Sequence, residues 1–270
     1  MTDFQRIIKY CAIAFGVFLT VSIIGGICGA LGMVAVFFDG DRTAAGEMKT
    51  YTVGDEIENL YIEVSAAEIE IISGEKFSVD SNHKYLSVEE DNNTLRITEE
   101  KKIFGVSSKG VSVVLTIPED HVFEDADIAA GAGKVHIDTL STNTLMLDLG
   151  AGKSTIDDLN VMTRACINGD TGKVKIKNSR INDLDMDVGV GKLTMTSALT
   201  GTCKVDYGIG KAELTLVGNK EDYQIKLDKG VGEATLDGKR MNDGSVYGGG
   251  HNRIDIDGGV GSIQIEFEEE

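Results

Sequence analysis

The sequence predicts an all-β protein, a β-solenoid of stacked coils of about 19–20 residues each, preceded by a single transmembrane helix. Three observations support this prediction. A glycine-cornered unit recurs along most of the chain, apolar and polar residues alternate on both sides of each corner, and an uncharged apolar stretch lies near the N-terminus. The 270 residues include 33 glycines, one proline and no tryptophan, which favours a thin β core over a thick globular one.

The repeated unit is a pair of short strands joined at a Gly-x-Gly corner. Its first glycine is Gly131, Gly150, Gly169, Gly189, Gly208, Gly230 and Gly259, so successive copies are 19, 19, 20, 19, 22 and 29 residues apart. Counted from that glycine, positions −5, −3, +4 and +6 are apolar in most copies, which is the period of a half-buried strand. Glycine suits the corner because a sharp bend needs positive φ and close approach of backbones.

A further copy without glycines is centred on Ser65. Leu60 and Ile62 fall at −5 and −3, while Ile69 and Ile71 fall at +4 and +6. The register therefore predicts about eight coils in all.

The copy at Gly169 has one extra residue before its second glycine, Gly172, and this predicts a bulge. In the same register Cys166 falls at −3 and Cys203 at −5, so both are expected to be small buried side chains. They lie two coils apart, roughly 10 Å, which is too far for a disulfide.

Residues 11–38 carry no charge and exceed the ~20 residues that a helix needs to cross a bilayer. Arg6 and Lys9 precede this segment and aspartates follow it, so the predicted topology is single-pass, with residues 1–10 cytoplasmic and the C-terminal domain extracellular. A cleaved signal peptide is the alternative, although its apolar core is normally about 7–15 residues long.

The rest of the chain divides by composition. Residues 39–50 are predicted to be a polar linker, 51–267 a β-solenoid ectodomain, and 268–270 an acidic tail. Residues 73–125 interrupt the repeats and read as β-strands that widen or cap the first coils. Within them, residues 91–93 (Asp-Asn-Asn) predict the turn of a hairpin.

The net charge of −18 restricts the partners of the chain. Such a field repels nucleic acid and anionic lipid. It permits cations, basic proteins or neutral glycans. The candidate partners are therefore a cell-wall polymer, a divalent cation or another membrane protein.

One column of carboxylates is the candidate binding feature. Position −2 holds Asp148, Asp187, Asp206, Asp228 and Asp257. A lysine column at +3 holds Lys134, Lys153, Lys192 and Lys211. Either the two columns neutralise one another on a solvated surface, or part of the aspartate column binds divalent cations or a cationic wall polymer.

No motif predicts catalysis, a cofactor or a resident metal. GAGKST at 150–155 looks like the end of a phosphate-binding loop, but the glycine that this motif requires is replaced by Leu147 and no helix follows. The four histidines are scattered, with no spacing typical of a ligand set.

The glycine-punctuated repeats, the run VVLTIPEDH at 113–121 and the single N-terminal span resemble a known family. It is the bacterial family of β-strand-repeat domains of unknown function labelled "putative adhesin". The resemblance covers about residues 51–267. It implies a bacterial envelope protein with a β-solenoid ectodomain, and no catalytic residues.

Three functions remain open at this stage. The first is a non-enzymatic, adhesin-like surface binding or scaffold module. The second is an accessory or sensor protein of a cell-envelope stress system, acting through its span and a membrane partner. The third is a polysaccharide-cleaving solenoid, which the scarcity of aromatic residues disfavours.

Overall fold

The computed structural model describes residues 44–100 and 109–269. Its strands are β1 (Ala45–Thr52), β2 (Asn59–Gly74), β3 (Ser78–His83), β4 (Leu86–Asp91), β5 (Thr94–Glu99), β6 (Ser112–Pro118), β7 (Val122–Asn182), β8 (Leu184–Thr200), β9 (Thr202–Val217), β10 (Tyr223–Asp228), β11 (Val231–Leu236), β12 (Lys239–Arg240), β13 (Ser245–Gly248) and β14 (Asn252–Glu268). A 3-10 turn occupies Lys220–Asp222.

All of these strands belong to one 14-stranded sheet that winds through successive coils. The coils pair in parallel and in register, so that Gly172 lies beside Gly191 and Gly191 beside Gly210. The glycine-free copy obeys the same register, with Ala67 beside Gly133. The predicted all-β repeat is therefore confirmed.

The interior consists of columns of equivalent side chains. At −5 lie Leu60, Ala126, Leu145, Ala165, Leu184, Cys203, Ile254 and Ile225, and at −3 lie Ile62, Ile128, Leu147, Ile167, Met186, Val205, Ile256 and Leu227; none is more than 2% exposed. Each coil contributes only a few apolar side chains, and the core becomes continuous only because neighbours supply the same positions.

The prediction from sequence placed the coil at Gly169 one residue out of register. Asn168 pairs with Asp187 and Gly169 with Val188, so the corner is Asp170-Thr171-Gly172 and Asp170 takes the place of the first glycine. Gly169 is instead a buried position, and no bulge lies at this corner. The second glycine marks the corner more reliably than the first, because it is the residue with the positive φ (139° at Gly172).

This shift in register also changes the predicted position of Cys166. Cys166 points away from the core and is half-buried, and Ile167 occupies the −3 position that had been given to it. Cys203 is buried as predicted, and burial raises the pKa of its thiol to about 11. Both thiols are free.

The order of the coils in space differs from their order along the chain. β14 pairs in parallel with β9 on one side and with β10 and β11 on the other. The last coil in sequence is therefore inserted between the Gly208 and Gly230 coils. The coil formed by β10 and β11 is the terminal one, and we call it the end coil.

The end coil is covered by the chain segment that returns from it. β12 runs antiparallel to β11, and β13 runs antiparallel to β10. Met241 lies between these two short strands and is 8% exposed, so its side chain closes the end of the hydrophobic core.

At the opposite end, strands from residues 73–125 cover the first coil. β5 and β6 both pair in parallel with β2. β4 and β5 form the predicted hairpin, with Asn92 and Asn93 at positive φ. β1 pairs with β3 from Ala45 onward, inside the segment 39–50 that was predicted to be a linker. Its residues pair through their backbones and lack an apolar pattern that could be read from sequence.

Within residues 44–100 and 109–269 there is no helix with the length and apolar character needed to cross a membrane. The predicted span at 11–38 lies outside the described residues.

Candidate functional site

The glycine corners bring backbones of neighbouring coils into direct contact. A Cβ atom added at Gly172 would lie 1.9 Å from the carbonyl oxygen of Gly152, and one added at Gly191 would lie 1.8 Å from that of Gly172. These distances are far shorter than a non-bonded contact between a carbon and an oxygen atom, which is at least about 3 Å. The edge of the rod is consequently bare backbone at each corner glycine, and the middle residue of the corner, such as Ala151 or Val190, carries the side chain between them.

The aspartate column forms a single file along this strip. In spatial order its members are Glu63, Ala129, Asp148, Asn168, Asp187, Asp206, Asp257 and Asp228. All five predicted aspartates are outside the core; Asp187, Asp228 and Asp257 are exposed, whereas Asp148 and Asp206 are half-buried. Asn168 was missed because the coil was read one residue out of register, which placed Ile167 at −2.

The members of the column differ in their partners. The Asn168 amide donates from Nδ2 to Oδ1 of Asp148 at 2.6 Å. Lys204 donates to Oδ2 of Asp206 at 2.5 Å, while Oδ1 of Asp206 is buried without a hydrogen-bond partner in the described part of the chain. Asp187 lies between these two pairs.

Asp187 is surrounded by carboxylates of its own coil and of the neighbouring coils. Partial burial raises the pKa of its carboxyl above the ordinary value of 3.8, and the negative charges of Asp206, Asp185 and Asp170 raise it further. Lys204 opposes the shift. A cation at this position would relieve a repulsion that is already present in the fold.

A groove of about 860 Å³ runs along the corners between the coils of Ser65 and Gly189. Its charged side chains are Glu63, Asp148, Asp170 and Asp187, all of them carboxylates. The rest of its wall consists of glycine, alanine, valine and leucine residues together with Ser65, Asn168 and Thr171. We call this the corner groove.

The lysine column does not neutralise this groove in the way the sequence suggested. Lys192 and Lys211 both pair with Glu213, at 2.7 and 2.6 Å, and Lys134 pairs with Glu68 at 3.3 Å. These glutamates lie on the same side of the corner as the lysines. The two lysines lower the pKa of Glu213 to about 2.

A second cluster was also missed from the sequence. One ligand atom each from His136, Asp138 and Asp157 lies within 4.8 Å of the others. The sequence could have predicted this cluster, because its three residues occupy positions +5 and +7 of two adjacent coils. However, the Lys177 ammonium donates to Asp157, so a cationic group already occupies part of the space that an ion would need.

A family model described as Toastrack DUF4097 matches residues 57–247 of the chain. The match includes the corner groove and the whole of the end coil. The comparison with curated proteins gives no match.

Three solved structures are similar over most of their length. A putative cell adhesion protein from Clostridium sporogenes is 16% identical, with 82% of this chain and 99% of that one covered and a TM-score of 0.35. Putative adhesins from Bacteroides fragilis and Parabacteroides distasonis are each 12% identical; the coverage is 81% and 96% for the first and 84% and 99% for the second, with TM-scores of 0.35 and 0.31. TM-scores this low do not support a transfer of function to the present chain.

Proposed function

We propose, for a chain that belongs to the Toastrack DUF4097 family, a non-enzymatic and adhesin-like role as a surface binding module of the bacterial cell envelope. In this proposal residues 11–38 anchor the protein by a single span, with the N-terminus in the cytoplasm and the solenoid outside. The corner groove binds a cationic wall polymer, or an anionic one through bridging divalent cations.

The corner groove is the observation that carries the proposal. The groove extends over five stacked coils, and Glu63, Asp148 and Asp187 occupy its first, third and fifth coils, roughly 10 Å apart, with Asp170 on the fourth. Carboxylates at this spacing repel each other by about 0.4 kcal/mol per pair in water-like surroundings. A polymer with repeated positive charges gains from several of them at once and relieves that repulsion.

The character of the groove supports binding rather than chemistry. Among its lining residues there is no histidine, cysteine, lysine or aromatic side chain. Its polar groups are carboxylates, a serine, a threonine and an asparagine amide, which suit cations and amines.

A binding experiment on the full chain in detergent micelles tests this function. The substrate is an insoluble glycan with free amino groups, and the matched control is the same glycan fully acetylated. Co-sedimentation of the protein with the first and not the second is expected, and the bound fraction should fall as salt is raised.

Two variants localise the binding. Asp148→Asn combined with Asp187→Asn removes half of the four carboxylates of the groove and should lower the bound fraction several-fold. Asp228→Asn removes a carboxylate of the same column outside the groove and should leave binding unchanged. Equal binding to both glycans, or equal effects of both variants, would exclude the groove as the binding surface.

The topology is tested separately in intact cells. Protease added outside should digest the solenoid and leave a fragment that contains residues 1–38 in the membrane. Release of a full-size solenoid without protease would indicate a cleaved leader instead.

A further inference from the structure

The end coil carries a second concave surface, which differs from the corner groove in shape and charge. It is a pocket of about 350 Å³ between β12 and β13. Leu236, Met241 and Tyr247 provide its apolar part, and Lys220, Lys239 and Arg240 provide its cations. We call it the end pocket.

The strand beside this pocket has a free edge. Among the described residues, β13 pairs only with β10, so its outer edge offers backbone N–H and C=O groups without strand partners. Natural edge strands are usually protected by charged residues, proline or bulges. The sequence of β13, Ser-Val-Tyr-Gly, has no charge and no proline.

Apolar side chains are exposed along the same edge. Val246 is 59% exposed and Tyr247 is 37% exposed. Ser245 also lines the pocket, and its hydroxyl is buried without a hydrogen-bond partner in the part of the chain that the structure describes. An unsatisfied buried hydroxyl costs free energy that a ligand atom can recover.

The charge of the pocket indicates the sign of its ligand. The lining contains three cationic side chains and one carboxylate, Asp237, in a chain whose net charge is −18. Lys220 is paired with Asp237, and Arg240 with Glu233. The pKa of Asp237 is lowered mainly by Lys220 and to a smaller extent by Lys239. Lys239 itself forms no ion pair among the described residues and can pair with a ligand carboxylate.

We infer that the end coil binds an extended acidic peptide segment of another protein. The peptide adds a strand to the free edge of β13, places an aliphatic side chain in the end pocket and sets a carboxylate against Lys239. Ser245, Val246 and Tyr247 belong to both the free edge and the pocket, so a strand on this edge runs past the pocket mouth. Main-chain hydrogen bonds then supply affinity and the pocket supplies specificity.

A second copy of this chain is a poorer occupant of the same edge. Edge-to-edge pairing of two identical strands is two-fold symmetric and places the same patch on both sides of the interface. The interface would then contain Lys239 from both copies, two like charges that no ion pair among the described residues neutralises. Their repulsion selects against the dimer and in favour of an acidic partner.

A peptide titration tests this inference. The probe is a fluorescent eight-residue peptide that alternates glutamate and valine, added to the full chain in detergent micelles and followed by anisotropy. Saturable binding is expected, weakening as salt is raised. A peptide with lysine in place of glutamate should bind at least tenfold more weakly.

Backbone methylation distinguishes strand addition from simple charge attraction. Two versions of the peptide carry N-methyl groups on alternate amides, one on the odd and one on the even positions. Only one set of amides faces a neighbouring strand, so one version should lose binding while the other retains it. Equal affinities for the two versions would overturn strand addition.

Charge reversals on the protein locate the site. Lys239→Glu should weaken peptide binding at least tenfold, and Lys49→Glu on β1, at the far end of the rod, should leave it unchanged. The Asp148→Asn, Asp187→Asn double variant should bind the peptide like the wild type, which separates this site from the corner groove. Absence of saturable binding at millimolar peptide, or sedimentation as a dimer that the peptide does not dissociate, would overturn the inference.

Discussion

The corner groove and the end pocket belong to the same continuous sheet and differ in almost every other respect. The groove is long, its charged side chains are all carboxylates, and it is built from the corners of five coils. The pocket is small and apolar with a cationic rim, and it is built from residues that have no equivalent in the other coils. One surface arises from repetition and the other from the interruption of the repeat.

The difference shows how a solenoid can carry two kinds of site. A side chain at an outward position of the repeat is copied every coil, so its charge accumulates and the surface suits a repeating ligand. At the terminal coil there is no next neighbour, and the exposed edge has to be covered by chain of a different sequence. That covering segment is where a single, non-repeating ligand finds a specific pocket.

The largest effect expected from a single substitution lies at the corners. Gly191→Ala should destabilise the fold by more than about 4 kcal/mol, because its Cβ would lie 1.8 Å from a backbone oxygen that cannot move without separating two coils. The matched control is Gly244→Ala beside β13. Gly244 has a φ of 70° with no atom within 4 Å of an added Cβ, so its cost is about 1–2 kcal/mol.

The measurement is the free energy of unfolding from denaturant titration of both variants. Similar losses at the two positions would contradict the distinction between a packed corner and an open end loop.

The second prediction compares the core of the inner coils with its terminal plug. Leu147 is completely buried between two coils, so Leu147→Ala should cost about 3–5 kcal/mol. Met241 is 8% exposed and closes the core on one side only, so Met241→Ala should cost about 2 kcal/mol, since the return segment can relax.

Thermal unfolding monitored by circular dichroism checks the order of the two melting temperatures. A larger loss for Met241→Ala would show that the end coil, rather than the inner stack, limits the stability of the rod.

The repeat could be predicted from sequence because every coil has the same pattern of apolar and polar residues. Alternation around the corner glycines identified the columns at −5 and −3, and even the glycine-free copy at Ser65 followed from them. The coil at Asp170 was misread because its first corner residue is not glycine while a glycine stands one position earlier. The second corner glycine, which requires positive φ, is the safer reference.

The order of the coils could not be predicted in the same way. Each coil offers the same columns to a neighbour above or below, so the pattern does not state which copy is adjacent to which. The position of β14 between β9 and the end coil is set by tertiary contacts and not by the repeat pattern. For the same reason the end pocket was not anticipated, because it depends on a return segment whose two strands are too short to show periodicity.

The smallest predicted effect is electrostatic and separates the two sides of the corner. Asp187→Asn should stabilise the protein by about 0.5–1 kcal/mol at pH 7, because it removes repulsion from the neighbouring carboxylates. The pKa of Asp187 is raised in the folded state, so folding binds protons and the free energy of unfolding falls as pH rises above 3.8. The advantage of the variant should therefore shrink as pH falls and vanish below 3.8, where the carboxyl is protonated in both states.

Glu213→Gln should show the opposite pH dependence on the lysine side. Lys192 and Lys211 lower the folded-state pKa of Glu213 from 4.5 to about 2, so its contribution is complete above 4.5 and is lost as pH falls toward 2. Because these side chains are partly exposed, the loss in the variant at pH 7 should be no more than about 1 kcal/mol and should decrease in high salt. Parallel pH profiles for the two variants would contradict the separation, since they would place both carboxylates in the same field. Opposite profiles would show that the corner divides the rod into a self-repelling face that favours cations and a face already neutralised by its own lysines.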